Sequence, residues 1–244
     1  MLNFGSVEPL GINFGTLDDI KLSMGAVLVY ELAVAGGGGR LYHCDLVANS
    51  IYELNVDTKL QISSVASPSG HPGGIGGISG RLYSCDYDAS SLIYELDVDT
   101  KLQISSVEAP GGGEMNGIGG TSNRLYAVEE ANVDLIYELD VDTKLQISSA
   151  VKGTNPTGIG GISDRLYFCD EYRDLIYELD VDTKVTISSV AVGSSPSGIG
   201  GTSDRLYHCD YSSDLIYELD IETKLSISSV ASPDTYPYGI GGIK

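Results

Sequence analysis

The apolar residues of the chain fall in short runs that are separated by turn-forming residues. In Gly158–Lys184, runs of Ile, Tyr, Leu and Val are broken by Ser-Asp, by Glu-Tyr-Arg-Asp and by Asp-Val-Asp-Thr, all of which favour turns. A fourth run, Val185–Ala191, precedes a loop of Ser, Pro and Gly. No run keeps the i, i+3, i+4, i+7 apolar spacing over the ten or more residues that a helix needs. The pattern therefore predicts an all-β fold with four strands, named A to D, in each unit.

The units repeat almost letter for letter. Leu135–Ser149 is identical to Leu92–Ser106, and near-copies stand at Ser50–Ser64, Leu175–Ser189 and Leu215–Ser229. The motif Arg-Leu-Tyr begins five units, 40 to 43 residues apart, at Arg40, Arg81, Arg124, Arg165 and Arg205. A period of 20 to 50 residues is typical of solenoids, propellers and other repeat arrays.

The residues at the two ends complete the count. The tail PYGIGGIK repeats the Gly-Ile-Gly-Gly signature of strand A, and Lys21–Met24 in the head resembles the start of strand D at Lys224. We therefore predict a six-bladed β-propeller, one domain over residues 1–244, with four antiparallel strands per blade. Five full repeats cover about residues 32–231, with strand A of the first near Leu32–Gly36. The sixth blade combines residues 1–31 with 232–244, so that a C-terminal strand A joins N-terminal strands B to D and closes the ring.

Several repeated residues have a structural interpretation. The Gly-Ile-Gly-Gly runs suit the close backbone approach expected at a propeller axis. They lie in a strand that leads into another strand, whereas a dinucleotide-binding glycine loop stands between a strand and a helix. The Asp-Val-Asp-Thr-Lys segments predict turns in which Asp and Thr bond backbone amides and the adjacent Lys partly offsets the charge of the carboxylates. They lack the length, Gly and distal Glu of a calcium loop. Each repeat Arg faces a Glu on strand C, which predicts five cross-strand ion pairs, namely Arg40/Glu53, Arg81/Glu95, Arg124/Glu138, Arg165/Glu178 and Arg205/Glu218.

Cysteine, histidine and charge narrow the possible chemistry. The four cysteines hold one repeat position, where Val128 replaces them in the third unit, so disulfides and a four-cysteine metal site are not expected. Free thiols and the absence of a visible signal peptide favour the cytoplasm. The net charge of −20 argues against nucleic acid and an acidic membrane surface. We expect a monomer without cofactor or metal, and the three histidines predict no catalytic triad.

A binding site is expected on one face. In such a blade the B–C and D–A loops share a face, and here they vary in sequence while the A–B and C–D turns repeat. Variable loops on a rigid scaffold are the usual place for recognition. The candidate contacts for a protein, peptide or small-molecule ligand are Tyr87, Tyr172, Arg173, Tyr211, Tyr236 and Tyr238.

The blade sequence NPTGIGGISDRLYFCDEYRDLIYELD (Asn155–Asp180) resembles the repeat of NHL-type and related six-bladed propellers. This resemblance implies the fold and leaves the activity open. The first functional hypothesis is a non-enzymatic scaffold or binding module. The alternative is a calcium-dependent hydrolase resembling the SMP-30/lactonase propellers. Under this hypothesis, Asn13, Asn116 and Asn155 are the residues of this chain that would approach the axis. A third hypothesis is that the near-identical blades arose by recent amplification or engineering and have no evolved ligand.

Overall fold

In a computed structural model the chain forms a closed ring of four-stranded antiparallel blades, and the structure describes residues 39–88, 91–130, 134–152, 155–193 and 195–243. Blade 1 holds β1 (Arg40–Asp45), β2 (Ser50–Leu54) and β3 (Gln61–Ala66). Blade 2 holds β4 (Pro72–Ile78), β5 (Arg81–Asp86), β6 (Leu92–Leu96) and β7 (Gln103–Glu108). Blade 3 holds β8 (Glu114–Gly120), β9 (Leu125–Glu130), β10 (Leu135–Leu139) and β11 (Gln146–Val151).

The remaining strands complete the ring. Blade 4 holds β12 (Pro156–Ile162), β13 (Arg165–Asp170), β14 (Leu175–Leu179) and β15 (Thr186–Ala191). Blade 5 holds β16 (Pro196–Gly201), β17 (Leu206–Asp210), β18 (Leu215–Leu219) and β19 (Ser226–Ala231). The last strand, β20 (Pro237–Ile243), returns to blade 1 as its strand A. Within the described residues, no helix is long and apolar enough to cross a membrane.

The structure confirms the predicted four-strand blades and the tail as a closing strand A. It does not confirm the predicted number of blades or the predicted partner strand of the tail. The described residues form five blades, and β20 pairs with β1 in the register Cys44↔Gly239 and Arg40↔Ile243. The prediction of six blades, with strand A of the first full repeat near residues 32–36, is therefore wrong. The head segments assigned to the sixth blade lie outside the described residues, as does part of the predicted single domain.

The physical reason lies at the axis, where the five A strands approach one another through glycine. A Cβ added to Gly74 would lie 2.6 Å from the Gly117 Cα, and one added to Gly239 would lie 2.8 Å from the Gly74 Cα. Real Cβ atoms do not approach that closely, so this position accepts only glycine. In the chain leading into Arg40 the matching positions hold Ala33 and Ala35, whereas the tail supplies Gly-Ile-Gly-Gly. The tail therefore supplies the glycines that the fifth place at the axis requires.

The core lies between adjacent blades. Side chains of strands B and C from one blade pack against strands A and B of the next, as in the cluster of Tyr126, Ile136, Ile159 and Phe168. All four cysteines are buried free thiols, as predicted, and burial raises the pKa of Cys209 to about 12. The D strands form the outer edge and alternate between exposed and half-buried residues. Each blade is thus a wedge whose faces are buried and whose outer edge meets solvent.

Candidate functional site

The face formed by the C–D turns carries one arrangement repeated in all five blades. Asp97 Oδ1 accepts the amide of Thr100 at 2.7 Å and its hydroxyl at 2.7 Å, which confirms the predicted Asp-Thr turn. The lysine that ends each turn has a positive φ near 60°. We expected its ammonium group to offset the charge of the turn carboxylates. Instead, the ammonium group forms an ion pair with a glutamate of the neighbouring blade. Lys144 Nζ lies 2.6 Å from Glu95 Oε2, and Lys101 Nζ lies 2.8 Å from Glu53 Oε2.

Each strand C glutamate is the centre of an ion network that joins two blades. Glu178 accepts hydrogen bonds from Arg165 of its own blade at 2.8 Å and from Lys224 of the next blade at 2.8 Å. Burial alone would raise the pKa of Glu178, but these hydrogen bonds outweigh it and lower that pKa to about 2. The five predicted Arg–Glu pairs are confirmed, with N–O distances of 2.7 to 3.8 Å. Because all these charges are paired and repeated, this face has a structural explanation.

In four of the five blades, an aspartate at the end of strand B accepts amides of the B–C loop. Asp210 is buried, and its Oδ1 accepts the amides of Ser212 and Ser213 at 2.9 Å each. Asp45 does the same for Val47 and Ala48, and burial raises the pKa of Asp45 to about 6. These hydrogen bonds fix the backbone of the loops, so the residues that follow project from a rigid base.

The structure brings four of the six predicted contact residues together as two aromatic pairs. Tyr87 and Tyr238 meet edge to face with ring centroids 5.7 Å apart. Tyr211 and Tyr236 are tilted, with centroids 5.1 Å apart. Since Tyr236 and Tyr238 both belong to the return of the tail into blade 1, the two pairs span three consecutive blades.

The other two predicted residues are placed differently. Tyr172 is 83% exposed in the B–C loop of blade 4. Arg173 is also exposed, and its guanidinium group donates to Asp170 Oδ2 at 3.0 Å. This contact holds the loop, so Arg173 already has an ionic partner.

Three glutamates that sequence reasoning missed lie beside the first aromatic pair. Burial raises the pKa of Tyr87, and the carboxylates of Glu114, Glu130 and Glu171 raise it further. Glu114 and Glu130 are directly opposite each other on β8 and β9. Burial also raises the pKa of Glu171, and Glu130 adds to the effect. A signal was present in the sequence, because Glu130 and Glu171 hold the repeat position of Tyr87 and Tyr211, the first residue after the strand B acid.

Asn116 completes this group. Its side chain is fully buried on β8, and its Nδ2 donates to Glu130 Oε2 at 2.6 Å. Its Oδ1 is a buried acceptor that has no hydrogen-bond partner in the part of the chain that the structure describes. Thr157 and Ser197, at the same repeat position, instead donate to carbonyl groups of the adjacent axial strand at 2.9 and 2.6 Å. We call Tyr87, Tyr238, Glu114, Asn116, Glu130 and Glu171 the Tyr–Glu cluster.

Other candidate groups lie at the axis and beneath the loops. The space at the axis is lined by strand A glycines with Ile159, Ile199 and Ile240, and it is too narrow to admit a water molecule, so it is no ligand pocket of the usual kind. Within the described parts of the chain, no three His, Cys, Asp or Glu side chains are grouped as metal ligands. His43 and His208 are buried, and burial lowers the pKa of each to about 4. Asn155 is half-buried just before β12, and Asn13 lies outside the described residues.

Comparison with solved structures shows the fold. A glutaminyl cyclase from Myxococcus xanthus is 13% identical, with a TM-score of 0.60 over 83% of this chain and 84% of that one. A chain of a nidogen/laminin complex is 15% identical, with a TM-score of 0.59 over 84% and 98%. A protein of unknown function from Bacteroides caccae is 14% identical, with a TM-score of 0.53 over 81% and 74%. No protein-family model and no curated protein matches the chain. The chain is a β-propeller, and at these identities the likeness concerns the fold alone.

Proposed function

We propose that this protein is a non-enzymatic binding module that uses the B–C and D–A loop face for a protein, peptide or small-molecule ligand. The observation that carries the proposal is the contrast between the two faces. One face repeats the same paired ion network in every blade. The other face carries the differences between blades on loops held by hydrogen bonds, with aromatic and acidic side chains close together.

The propeller scaffold supports this role without defining a ligand, because one fold hosts many functions. Membership of the NHL-type or SMP-30-like group is likewise a proposal. Its support is the blade motif within residues 155–180. The Pro-x-Gly part of this motif lies on β12, and the Leu-Tyr pair lies on β13. The described residues supply no observation that favours the calcium-dependent hydrolase.

The test is to select peptides from a phage-displayed random library on the immobilised full chain and to measure their affinity in solution. Two variants remove exposed or half-buried rings from the loop face, Tyr172→Ala and Tyr211→Ala. The control is Leu145→Ala, which truncates a side chain that is 60% exposed at the C–D end of blade 3. Loss of affinity in the two tyrosine variants alone supports the proposal.

Two other outcomes contradict it. Affinity that falls in Leu145→Ala and persists in both tyrosine variants would place the ligand on the other face. No enrichment of any peptide, together with no thermal shift from a small-molecule library, would favour amplified or designed blades without an evolved ligand.

A further inference from the structure

The Tyr–Glu cluster contains three carboxylates without a cationic partner. The strand C glutamates each have an arginine and a lysine within 4.0 Å. By contrast, among the described residues no Lys, Arg or His forms an ion pair with Glu114, Glu130 or Glu171. Carboxylates placed this close repel one another, and direct cross-strand pairs of like charge are destabilising. The strand C glutamates are paired within the chain, whereas Glu114 at the exposed start of β8 and the half-buried Glu130 and Glu171 can meet a charge from outside.

The second observation is the unpartnered oxygen of Asn116. Its amide nitrogen is used by Glu130, so the free Oδ1 is an acceptor, buried in the same cluster, that lacks a donor. A buried acceptor without a donor is costly. Thr157 and Ser197 show that the fold can satisfy a polar group at this repeat position from within the chain. A ligand group that carries a positive charge and N–H donors would therefore satisfy both the carboxylates and this oxygen.

The third observation is the aromatic wall. Tyr238 is buried, and Tyr87 packs against it edge to face. The negative face of a tyrosine ring attracts an ammonium or guanidinium group within about 6 Å. Metal ions need several hard oxygen ligands at fixed distances, and no such group of three side chains is present in the described part of the chain. Aromatic rings beside carboxylates suit an organic cation better.

We propose that the Tyr–Glu cluster binds an ammonium or guanidinium group, carried either by a lysine or arginine side chain of a peptide or by a free polyamine. The cation lies between Glu130 and Glu171, donates a hydrogen bond to Asn116 Oδ1 and contacts the ring of Tyr87. The net charge of −20 attracts such ligands from a distance. This inference rests on the proposed binding role and specifies the ligand chemistry of the same face.

The test is calorimetric titration of the full chain with four probes at physiological salt. They are a capped Gly-Lys-Gly peptide, the same peptide with Nε-acetyl-lysine, spermidine and calcium chloride. We expect saturable binding of the lysine peptide, of spermidine or of both, and the stronger of these two probes identifies the source of the cation. We expect no binding of the acetylated peptide, which has lost the charge.

Variants assign the binding to the cluster. Glu171→Gln should weaken binding about tenfold or more, because it removes a charge-assisted contact, and Tyr87→Leu should weaken it about two- to fivefold. Glu108→Gln is the matched control, since it removes the same charge from an exposed residue at the end of β7. Thermal midpoints of all variants show whether each remains folded.

Three outcomes overturn the inference. Equal weakening by Glu108→Gln and Glu171→Gln would mean diffuse charge attraction, and binding of calcium in place of the amines would mean a metal site. If neither lysine peptide nor spermidine binds while library peptides still require Tyr172 and Tyr211, the cation assignment is wrong and the binding role stands. If the library also yields nothing, both fail.

Discussion

The interblade lysine offers the sharpest test of how the ring is held together. In Lys144→Met the side chain keeps its length and the positive φ of the turn but loses the ammonium group. That group lies 2.6 Å from Glu95 Oε2 and 3.1 Å from Ser105 Oγ, and the lysine side chain is only 7% exposed. Removing one partner of a buried ion pair leaves the other charge poorly compensated, which costs about 3–5 kcal/mol when no other partner remains.

Glu95 keeps one cation in this variant, so the expected cost is smaller. Arg81 remains 2.7 Å from Glu95 Oε1, and Ser105 still donates to Oε2 at 3.3 Å. We therefore expect a loss of about 2–3 kcal/mol in the free energy of unfolding, below the range for complete loss of compensation. For a domain of this size, each kcal/mol corresponds to about 2–4 °C in the thermal midpoint.

The assay is urea unfolding followed by circular dichroism, with the midpoint and the slope fitted together. Asp142→Asn is the matched control, because its carboxylate joins the same network at Arg81 but its side chain is 88% exposed. We expect it to cost less than about 1 kcal/mol. Lys224→Met, which removes the equivalent contact to Glu178, should reproduce the Lys144 result. Equal losses in Lys144→Met and Asp142→Asn would refute the idea that buried lysines join the blades.

Three further outcomes are expected. Gly158→Ala should lower the free energy of unfolding in urea by about 1–3 kcal/mol, because its Cβ would lie 2.6 Å from the Gly198 Cα. Gly70→Ala, whose Cβ would have its nearest atom at 3.6 Å, should be nearly neutral. Similar losses in the two variants would argue against close axial packing. Deleting residues 236–244 removes strand A of blade 1 and should abolish the cooperative thermal transition, while deleting residue 244 alone should not; an unchanged transition in the longer deletion would mean that another segment closes the ring. Burial lowers the pKa of His208 to about 4, so the unfolded chain takes up this proton first as the pH falls, and the folded protein loses stability between about pH 6.5 and 4. His208→Phe removes this group and should make that loss smaller by about 3 kcal/mol. Phe168 holds the same repeat position, and its ring centroid lies 4.6 Å from that of Tyr177, against 4.7 Å between His208 and Tyr217. The free energy of unfolding at pH 7.5 should therefore change little in the variant. If the variant and the original protein lost stability equally in acid, His208 would not be the group that titrates.

The sequence by itself determined the local structure of the blades. Turn residues at fixed places divide short apolar runs, so strand type, strand order and the Asp-Thr turns follow from local chemistry. The Arg–Glu pairs also follow, because strands B and C are joined by a short loop that sets which residues face each other. The grouping of the B–C and D–A loops on one face was predictable, since antiparallel connections alternate between the two ends of a blade.

The tertiary structure decided what depends on contacts between blades. The number of blades was miscounted because residues 1–31 echo parts of the repeat, whereas ring closure depends on which segment can place glycine at the axis. Sequence alone also assigned the lysine charges to the carboxylates of their own turns, because the glutamates with which they pair lie on the neighbouring blade, 46 or more residues away. The grouping of Tyr87 and Tyr238 with the three glutamates was missed for the same reason. Its members come from different blades, and only the closed ring brings Tyr238 of the tail beside Tyr87 and the glutamates that surround it.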